Sequence, residues 1–473
     1  MSESEISVNT IFEPFKIKMV ERMPILDTEQ RRQVLREASF NLFSVPAKHV
    51  TFDFLTDSGT SAMSARQWAA MMEGDESYAG SDSYTRFSDT INEITGMKHI
   101  IPTHQGRSAE SLLCHALLQP GKRVIGNTQF DTTRANIESS ACASVDLPCE
   151  ESANTQSEFP FKGNVDIPQL QAELEKNGKD IALFIMTITN NSIGGQPVSL
   201  ENIKKTKKIL NDYNIPFFID AARFAENCFF IKTREPGYES KTVLQIAQEI
   251  FHLADGVLMS AKKDAFANIG GFLALQNDKL AESIRQLMVI TEGFPTYGGL
   301  AGRDLEAIAV GLQEILDENY LTYRQRSVEY FGKGLEQAGL KLIKPFGGHA
   351  VYIDAAASVP HIPISYYPGQ ALSVALFEWI GVRSVEVGSV MFGSRDEKTG
   401  SENFAAKELV RLALPRRVYT QSHIDYIIEK VIKVAPLFQQ LPGYKMTYQT
   451  KFLRHFTAKF AQVPKADFNK ESL

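Results

Sequence analysis

Two lysines and an aspartate lie directly after apolar runs of the kind that form buried strands, where a side chain can be partly withdrawn from water. Lys262 and Lys263 lie in residues 260–264 (Ser-Ala-Lys-Lys-Asp), after the largely apolar run 254–259, and Asp220 ends another apolar run, 215–219. An amine partly withdrawn from water has a lowered pKa and can attack a carbonyl, which suits a Schiff-base lysine. A carboxylate at the mouth of a parallel sheet is the partner that a pyridinium nitrogen requires. The combination points to pyridoxal phosphate, whereas a lysine pair by itself can be a solvated basic turn.

The segments around these residues alternate between strand and helix patterns. Apolar runs predict buried strands, and amphipathic stretches predict helices. Thr242 and Gln245 predict a capping box at the start of the helix predicted for residues 242–254. The alternation indicates βαβ units and a parallel sheet covered on both faces, with Asp220 and Lys263 at its carboxyl edge, where ligands bind. The predicted strands are residues 181–189, 215–219 and 256–259, and the predicted helices are residues 200–213 and 242–254.

A turn upstream has the features of a phosphate site. Residues 98–102 are predicted to form a short strand, followed by residues 103–108 (Thr-His-Gln-Gly-Arg-Ser) and a helix through Leu118. A glycine-containing turn that opens a helix exposes backbone N–H groups, and Arg107 adds a forked cation. Ser260 offers a hydroxyl beside the lysine pair. The alternative is a simple strand-to-helix turn.

Composition restricts the class of protein. The 473 residues carry a net charge of −6 without a basic stripe, which disfavours binding to nucleic acid or to acidic membranes, and a small-molecule ligand is expected. No apolar run reaches the length of a membrane span, and the first residues do not resemble a signal peptide, so a cytoplasmic location is expected. The four cysteines show no Cys-x-x-Cys spacing and are predicted to be reduced, buried thiols.

The length predicts two domains. Residues 56–310 contain the strand and helix alternation and are assigned to a large cofactor-binding domain. Residues 311–473 are assigned to a small α+β domain, because a helical region at 305–338 is followed by shorter strands at 350–354 and 409–414. Residues 1–55 lack clear sheet signals and are expected to pack on the small domain or on a partner subunit.

Seven ordered motifs resemble those of the β-eliminating lyases, over roughly residues 14–459. The resemblance implies an α/β protein with the aspartate-aminotransferase-like fold, which is fold type I of the enzymes that use pyridoxal phosphate. That fold has a large domain with a mostly parallel seven-stranded sheet and a small α+β domain. The resemblance also implies a homotetramer with active sites at subunit interfaces and a requirement for potassium or a similar monovalent cation. The motifs are residues 55–60, 74–81, 102–107, 194–199, 225–227, 260–264 and 292–299.

The resemblance assigns cofactor-binding roles to individual residues. Lys263, the second lysine of the pair, matches the lysine that binds the cofactor, and Asp220 matches the partner of the pyridine nitrogen. Arg223 is its neighbour over the cofactor, Phe130 stacks on the ring, and Asn191 touches the phenolic oxygen. Outside the resemblance, Phe130 would be taken for a core phenylalanine. The implied phosphate ligands are Gln105, Gly106, Arg107 and Ser260.

Further roles concern the substrate and the cation. Arg411 matches the clamp on the substrate carboxylate, for which a planar fork is suited, and Thr56, Ser58 and Asn191 complete that site. Tyr78 matches a tyrosine implicated in acid catalysis and cofactor binding. Outside the resemblance, Arg411 could be a structural ion-pair residue and Tyr78 a surface residue. The implied cation ligands are the carboxylate of Glu76 and backbone oxygens of Gly59 and Asn268.

The family contains two sister activities, which release indole from tryptophan or phenol from tyrosine. A phenol oxygen needs a polar or cationic partner, and Val387 at the matching position cannot provide one, whereas an apolar wall suits an indole. Asp131 and His455 also match the indole-releasing members, although Asp131 could be a helix cap and His455 a packing residue. Residues 301–304 look more like the phenol-releasing members, but no substrate contact is implied there. The expected reaction is therefore tryptophan to indole, pyruvate and ammonia, with tyrosine cleavage as the alternative.

Two other readings differ in reaction class. An aminotransferase or a γ-elimination enzyme on the same fold is possible, because Lys263 and Asp220 do not choose a reaction. The motifs around Tyr78 and residue 194 argue against it. A non-catalytic, cofactor-binding regulator is disfavoured because Lys263, Asp220, Arg107 and Arg411 are all present.

Overall fold

A seven-stranded sheet organises the larger part of the computed structural model, which describes residues 12–468 except 397 and 452. The strand order is β2-β8-β7-β6-β5-β3-β4, and β8 runs antiparallel to both of its neighbours, whereas the pairs from β7 to β4 are parallel. A mostly parallel seven-stranded sheet was the prediction, and it is confirmed. The strands are β2 (His99–Thr103), β3 (Arg123–Gly126), β4 (Ala143–Asp146), β5 (Ile181–Thr187), β6 (Phe217–Asp220), β7 (Gly256–Ser260) and β8 (Gly271–Leu275).

Both faces of this sheet are buried, as the apolar runs predict. Along β5, Leu183 and Ile185 belong to one hydrophobic cluster, while Phe184 and Met186 belong to another. Successive side chains of a strand point to opposite faces, so the two clusters lie on the two sides of the sheet. The helices of this part are α2 (Ala65–Met72), α3 (Asp82–Thr95), α4 (Gly106–Leu117), α5 (Asp131–Ser139), α6 (Ile167–Asn177), α7 (Leu200–Asp212), α8 (Phe224–Arg234), α9 (Val243–Phe251), α10 (Asp278–Thr291) and α11 (Gly302–Glu314).

A third hydrophobic cluster holds together a smaller α+β part of the protein. Its three-stranded antiparallel sheet has the order β11-β14-β9, and its cluster spans residues 34–54 and 328–463. Helix α1 (Thr28–Glu37) lies in this part, where Arg31 donates to the backbone oxygen of Glu378. The other elements are β1 (Phe52–Asp53), α12 (Glu318–Gln337), β9 (Ala350–Asp354), α13 (Ala355–Ser358), α14 (Pro368–Ile380), β10 (Val382–Arg383), β11 (Val385–Val387), α15 (Ser389–Phe392), β12 (Ser394–Arg395), β13 (Glu402–Asn403), β14 (Leu409–Ala413), α16 (Gln421–Val434), β15 (Gly443–Tyr448) and β16 (Lys459–Val463).

Local signals in the sequence agree with most of these bounds. The capping box of Thr242 and Gln245 opens α9 as predicted. The helical region 305–338 is two helices, since α11 ends at Glu314 and Asp317 caps the start of α12. Across the described part of the chain, every helix is too short or too polar to span a bilayer.

Candidate active site

The carboxyl edge of the sheet opens into a cavity of about 260 Å³. Asp220 ends β6, Ser260 ends β7, and Lys263 follows three residues later, so two adjacent parallel strands carry the lysine and the aspartate to the same edge. The sequence-predicted residues that line this cavity are Thr56, Ser58, Gln105, Gly106, Arg107, Phe130, Asp131, Asn191, Asp220, Arg223, Ser260, Lys263, Arg411 and His455.

Burial makes the Lys263 amine a usable nucleophile and base. Burial first, and then the nearby Arg223 cation, lower the pKa of Lys263 to about 8. Burial raises the pKa of Asp220 above its ordinary value, and the charge of Lys263 opposes that rise. An ammonium with a pKa near 8 has a substantial neutral fraction at neutral pH, which attack on a carbonyl requires.

The start of α4 is arranged to bind an anion. Gln105 is its N-cap residue and makes no side-chain cap bond, and Gln105, Gly106 and Arg107 line the cavity, so an anion there could accept from N–H groups of the first turn. A Cβ at Gly106 would stand 2.6 Å from the Cβ of Ser260, so the close approach of α4 to β7 requires glycine. Burial lowers the pKa of Lys262, and the neighbouring charge of Arg107 lowers it further. Two cations that repel each other beside a helix N-terminus suit a phosphate dianion.

Glu110 is a site residue that the motifs did not indicate. It lines the cavity and accepts from the hydroxyl of Thr133 at 3.1 Å. Burial, and then the charge of Asp220, raise the pKa of Glu110 to about 7. Its position four residues after Gly106 places it on the same face of α4, which was the available signal.

A buried ionic network lies behind the cavity and was also missed. Arg223 donates through Nε and Nη2 to Asp57 at 2.9 and 2.7 Å. The fully buried Arg416 donates to Asp57 at 2.9 Å and to both Glu226 and Asp264 at 2.8 Å. All three carboxylates stand within the sequence motifs, but no spacing rule links them to Arg416, which lies more than 150 positions from each of them.

Arg411, the residue predicted to bind the substrate carboxylate, is fixed by hydrogen bonds to its neighbours. Arg411, on β14, donates to the side-chain oxygen of Asn191 and to the backbone oxygen of Leu55, each at 3.0 Å. The hydroxyl of Tyr352 donates to the same Asn191 oxygen at 2.5 Å. The Nε of Arg411 is buried and has no hydrogen-bond partner in the described structure, and one face of the fork therefore has capacity for a ligand. His349 is a further contact of Asn191, at 3.0 Å.

Asp131 and His455 meet across the cavity wall. The His455 Nε2 lies 3.4 Å from the Asp131 carboxylate, and both side chains are buried. Asp131 is also the first residue of α5, where its carboxylate accepts from the N–H of Thr132 at 2.7 Å; the N-cap residue of this helix is Phe130, so Asp131 is not its cap. Val387 lies elsewhere, in an adjoining cavity of about 580 Å³ that shares Asp131 and Met391 with the first.

Tyr78 and Glu76 also lie outside the cavity. Tyr78 is 66% exposed and packs against Phe294 and Tyr297, with ring centroids 5.1 and 5.3 Å away. The Glu76 carboxylate accepts from the N–H of Gly302 at 3.0 Å and pairs with Arg303 at 3.1 Å.

The other two predicted cation ligands do lie together. The side chain of Asn268 donates to the backbone oxygen of Gly59 at 3.1 Å. Within the described residues, no group of three or more His, Cys, Asp or Glu side chains is placed to hold a metal ion. That absence concerns side chains, whereas the predicted ligands of Gly59 and Asn268 are backbone oxygens. The four cysteines are free and buried, as predicted.

Comparison with known proteins shows the family to which the chain is similar. A family model described as beta-eliminating lyase matches residues 53–430. The chain is 52% identical to a tryptophanase of Salinibacter ruber, over 95% of both chains, and 52% identical to a tryptophanase of Rhodobacter capsulatus, over 96% of this chain and all of that one. A tyrosine phenol-lyase of Symbiobacterium thermophilum is 45% identical, over 95% of this chain and 98% of that one.

Solved structures confirm the predicted fold. An aminotransferase from Staphylococcus aureus superimposes with a TM-score of 0.58, covering 82% of this chain and 94% of that one at 14% identity. At that identity the likeness concerns the fold alone. Because the family model covers most of the chain and the relatives align over nearly all of it, the chain belongs to the β-eliminating lyase family.

Proposed function

We propose that the protein uses pyridoxal phosphate to cleave tryptophan, with the uptake of one water molecule, into indole, pyruvate and ammonia. The observation that carries the proposal is that one cavity holds the amine of Lys263, the carboxylate of Asp220 and the fork of Arg411, with Asp131 and His455 in its wall. The 52% identity to tryptophanases, against 45% to a tyrosine phenol-lyase, supports the same choice.

Lys263 and Asp220 would hold opposite ends of the cofactor. When bound, pyridoxal phosphate supplies an electron sink for a bond that breaks at the substrate's Cα or Cβ. Asp220, buried beside Lys263, would keep a proton on the ring nitrogen by charge pairing. Lys263, with its pKa near 8, can accept the proton that leaves Cα and return a proton later in the cycle.

Arg411 would orient the substrate. Its fork is fixed by Asn191 and Leu55, while its buried Nε still lacks a partner among the described residues. A carboxylate bound there would satisfy that nitrogen through a charge-assisted bond. Thr56 and Ser58 line the same cavity and complete the polar end.

The opposite wall favours an indole ring. Phe43, Phe456 and Met391 line the cavity beside His455, and Phe43 meets Phe456 at 4.9 Å between ring centroids. An indole carbon leaves only after a proton is added to the ring, and the Asp131 and His455 pair can deliver or relay one. The alternative, release of phenol from tyrosine, requires a polar partner for the phenol oxygen, and Val387, which lines the adjoining cavity, does not offer one.

The proposal extends to the assembly. The exposed Tyr78, which packs on the half-buried Phe294 and Tyr297, supports a homotetramer in which Tyr78 acts at a partner subunit's cavity. Such an interface could also bring Glu76 to a potassium ion at Gly59 and Asn268. We keep residues 56–310 and 311–473 as the two proposed domains, with residues 1–55 packing on the second. A cytoplasmic location is also proposed, since four unpaired cysteines suit a reducing compartment.

The test is a substrate comparison on the holoprotein in potassium buffer. We expect tryptophan to have the highest kcat/KM, with indole and pyruvate formed in equal amounts, and a larger kcat/KM for phenol release from tyrosine would overturn the assignment. Asp131→Thr should lower tryptophan cleavage by roughly 10²- to 10⁴-fold, the usual contribution of a general acid. An S-alkyl cysteine is the matched control, because its thiolate leaves without protonation of carbon and Asp131→Thr should spare it. Equal losses on both substrates would reject the role of Asp131.

A further inference from the structure

Glu292 opens the motif 292–299, and the proposed reaction gives it no role. Its side chain is 6% exposed, although it follows the C-terminal end of α10, where the helix dipole disfavours a carboxylate. The carboxylate reaches across to the start of α4. There it accepts from the hydroxyl of Ser108 and, at 3.3 Å, from the backbone N–H of His104.

A chain of side-chain contacts leads from Glu292 into the anion site. The second carboxylate oxygen also contacts Nδ1 of His104. The Nε2 of His104 lies 3.0 Å from the side-chain nitrogen of Gln105, and the side-chain oxygen of Gln105 lies 3.4 Å from the ammonium of Lys262.

One assignment of protons satisfies every contact in this chain. The carboxylate of Glu292 can accept but cannot donate, so Nδ1 of His104 must carry a hydrogen. The remaining ring nitrogen, Nε2, then has a lone pair that accepts from the Gln105 amide. With its nitrogen held there, Gln105 presents its oxygen to Lys262, which can only donate. The second N–H of the amide remains for an anion at the start of α4.

We propose that Glu292 and His104 are a positioning pair that fixes the tautomer of His104 and thereby orients the amide of Gln105 toward the bound phosphate. The inference rests on the proposed function, because it takes the anion at α4 to be the phosphate of pyridoxal phosphate. Neither residue acts on the substrate. The alternative is that Glu292 only caps α4 through Ser108 and the His104 N–H.

Two substitutions of Glu292 separate hydrogen bonding from charge. Glu292→Gln keeps an oxygen for His104, because the hydroxyl of Ser108 can accept from the new amide N–H. Glu292→Met keeps the length of the side chain but removes both acceptors. We expect the Met variant to bind pyridoxal phosphate about 5- to 10-fold more weakly, as for the loss of one oriented hydrogen bond. The Gln variant should stay within about twofold of the native protein.

The measurements are titration of the apoprotein with pyridoxal phosphate and solid-state ¹⁵N NMR of the histidine-labelled holoprotein. The NMR signals of His104 should report a hydrogen on Nδ1 in the native protein and in Glu292→Gln, and a mixture of tautomers in Glu292→Met. In a Gln105→Ala background, Glu292→Met should cause no further loss of affinity. A loss that persists there, or native affinity in the Met variant, would overturn the proposal.

A matched control lies at the other end of the same strand. His99 opens β2, and its Nε2 pairs with Asp278 at 2.6 Å, while His104 follows the end of β2. Asp278→Leu removes a carboxylate from a histidine outside the cavity and should leave affinity unchanged; a loss equal to that of Glu292→Met would reject the proposal. If Glu292→Met does not fold, His104→Leu breaks the same chain at its centre and must weaken binding similarly. A native protein that binds no pyridoxal phosphate would instead reject the proposed function.

Discussion

Replacement of Arg416 by methionine should strongly destabilise the protein. The arginine is fully buried and bonds Asp57, Glu226 and Asp264 at 2.8 to 2.9 Å, so the neutral variant leaves three buried carboxylates short of a partner. Removing one side of a buried ion pair costs about 3–5 kcal/mol. We expect a loss in this range in the free energy of unfolding at pH 7.

The loss should grow with pH. Burial raises the pKa of Asp264 to about 7 even though Arg416 lowers it, and without Arg416 that pKa will rise further. The folded variant then binds more protons than the folded native protein above pH 7, while the unfolded chains are alike. Stability falls with pH wherever the folded state binds more protons, by at most about 1.4 kcal/mol per pH unit for each proton. The destabilisation should therefore be about 1–2 kcal/mol larger at pH 8.5 than at pH 6.

Urea unfolding of the holoprotein at the two pH values measures this difference. Trp68 in α2 and Trp379 in α14 report by fluorescence on the two parts of the fold. Arg417→Met is the control, because among the described residues Arg417 forms a single ion pair, with Glu314 at 2.9 Å, beside its stacking on Phe266, and its loss should be smaller. A destabilisation by Arg416→Met below about 1 kcal/mol, or one equal at pH 6 and pH 8.5, would refute the reasoning.

Three further outcomes are expected. Lys263→Ala should abolish the visible absorbance of bound cofactor and nearly all turnover, while Lys262→Ala keeps the absorbance; the reverse pattern would move the assignment by one residue. Glu110→Gln removes a carboxylate with a pKa of about 7 that faces Lys263, so the pH midpoint for association of pyridoxal phosphate with the apoprotein should fall by roughly half a pH unit. An unchanged midpoint would exclude that coupling. Activity should rise several-fold when potassium replaces sodium, and Glu76→Ala should blunt this response; equal native rates in both salts would argue against a cation site.

The difference between Glu110 and Asp220 shows what local patterns can reveal. Asp220 ends a five-residue apolar run, so its place at the sheet edge follows from the run alone. Glu110 lies in the middle of an ordinary helix, and its charge state depends on burial against Asp220, which comes from a strand more than 100 positions later. Local sequence patterns do not show which distant residues become neighbours, so they could not predict the charge state of Glu110.

The sequence by itself determined the mostly parallel sheet and its carboxyl edge, because apolar runs and helix signals are local patterns. It also determined that Lys263, Asp220 and Arg107 lie at that edge, because parallel strands end at the same edge of a sheet. Only the tertiary structure decided which charges become neighbours. Arg416 meets Asp57, Asp131 meets His455, and Glu292 meets His104 because the packing of distant elements brings them within ion-pair distance. Burial in the Arg416 network raises the pKa of Asp264, and burial is a property of the whole fold.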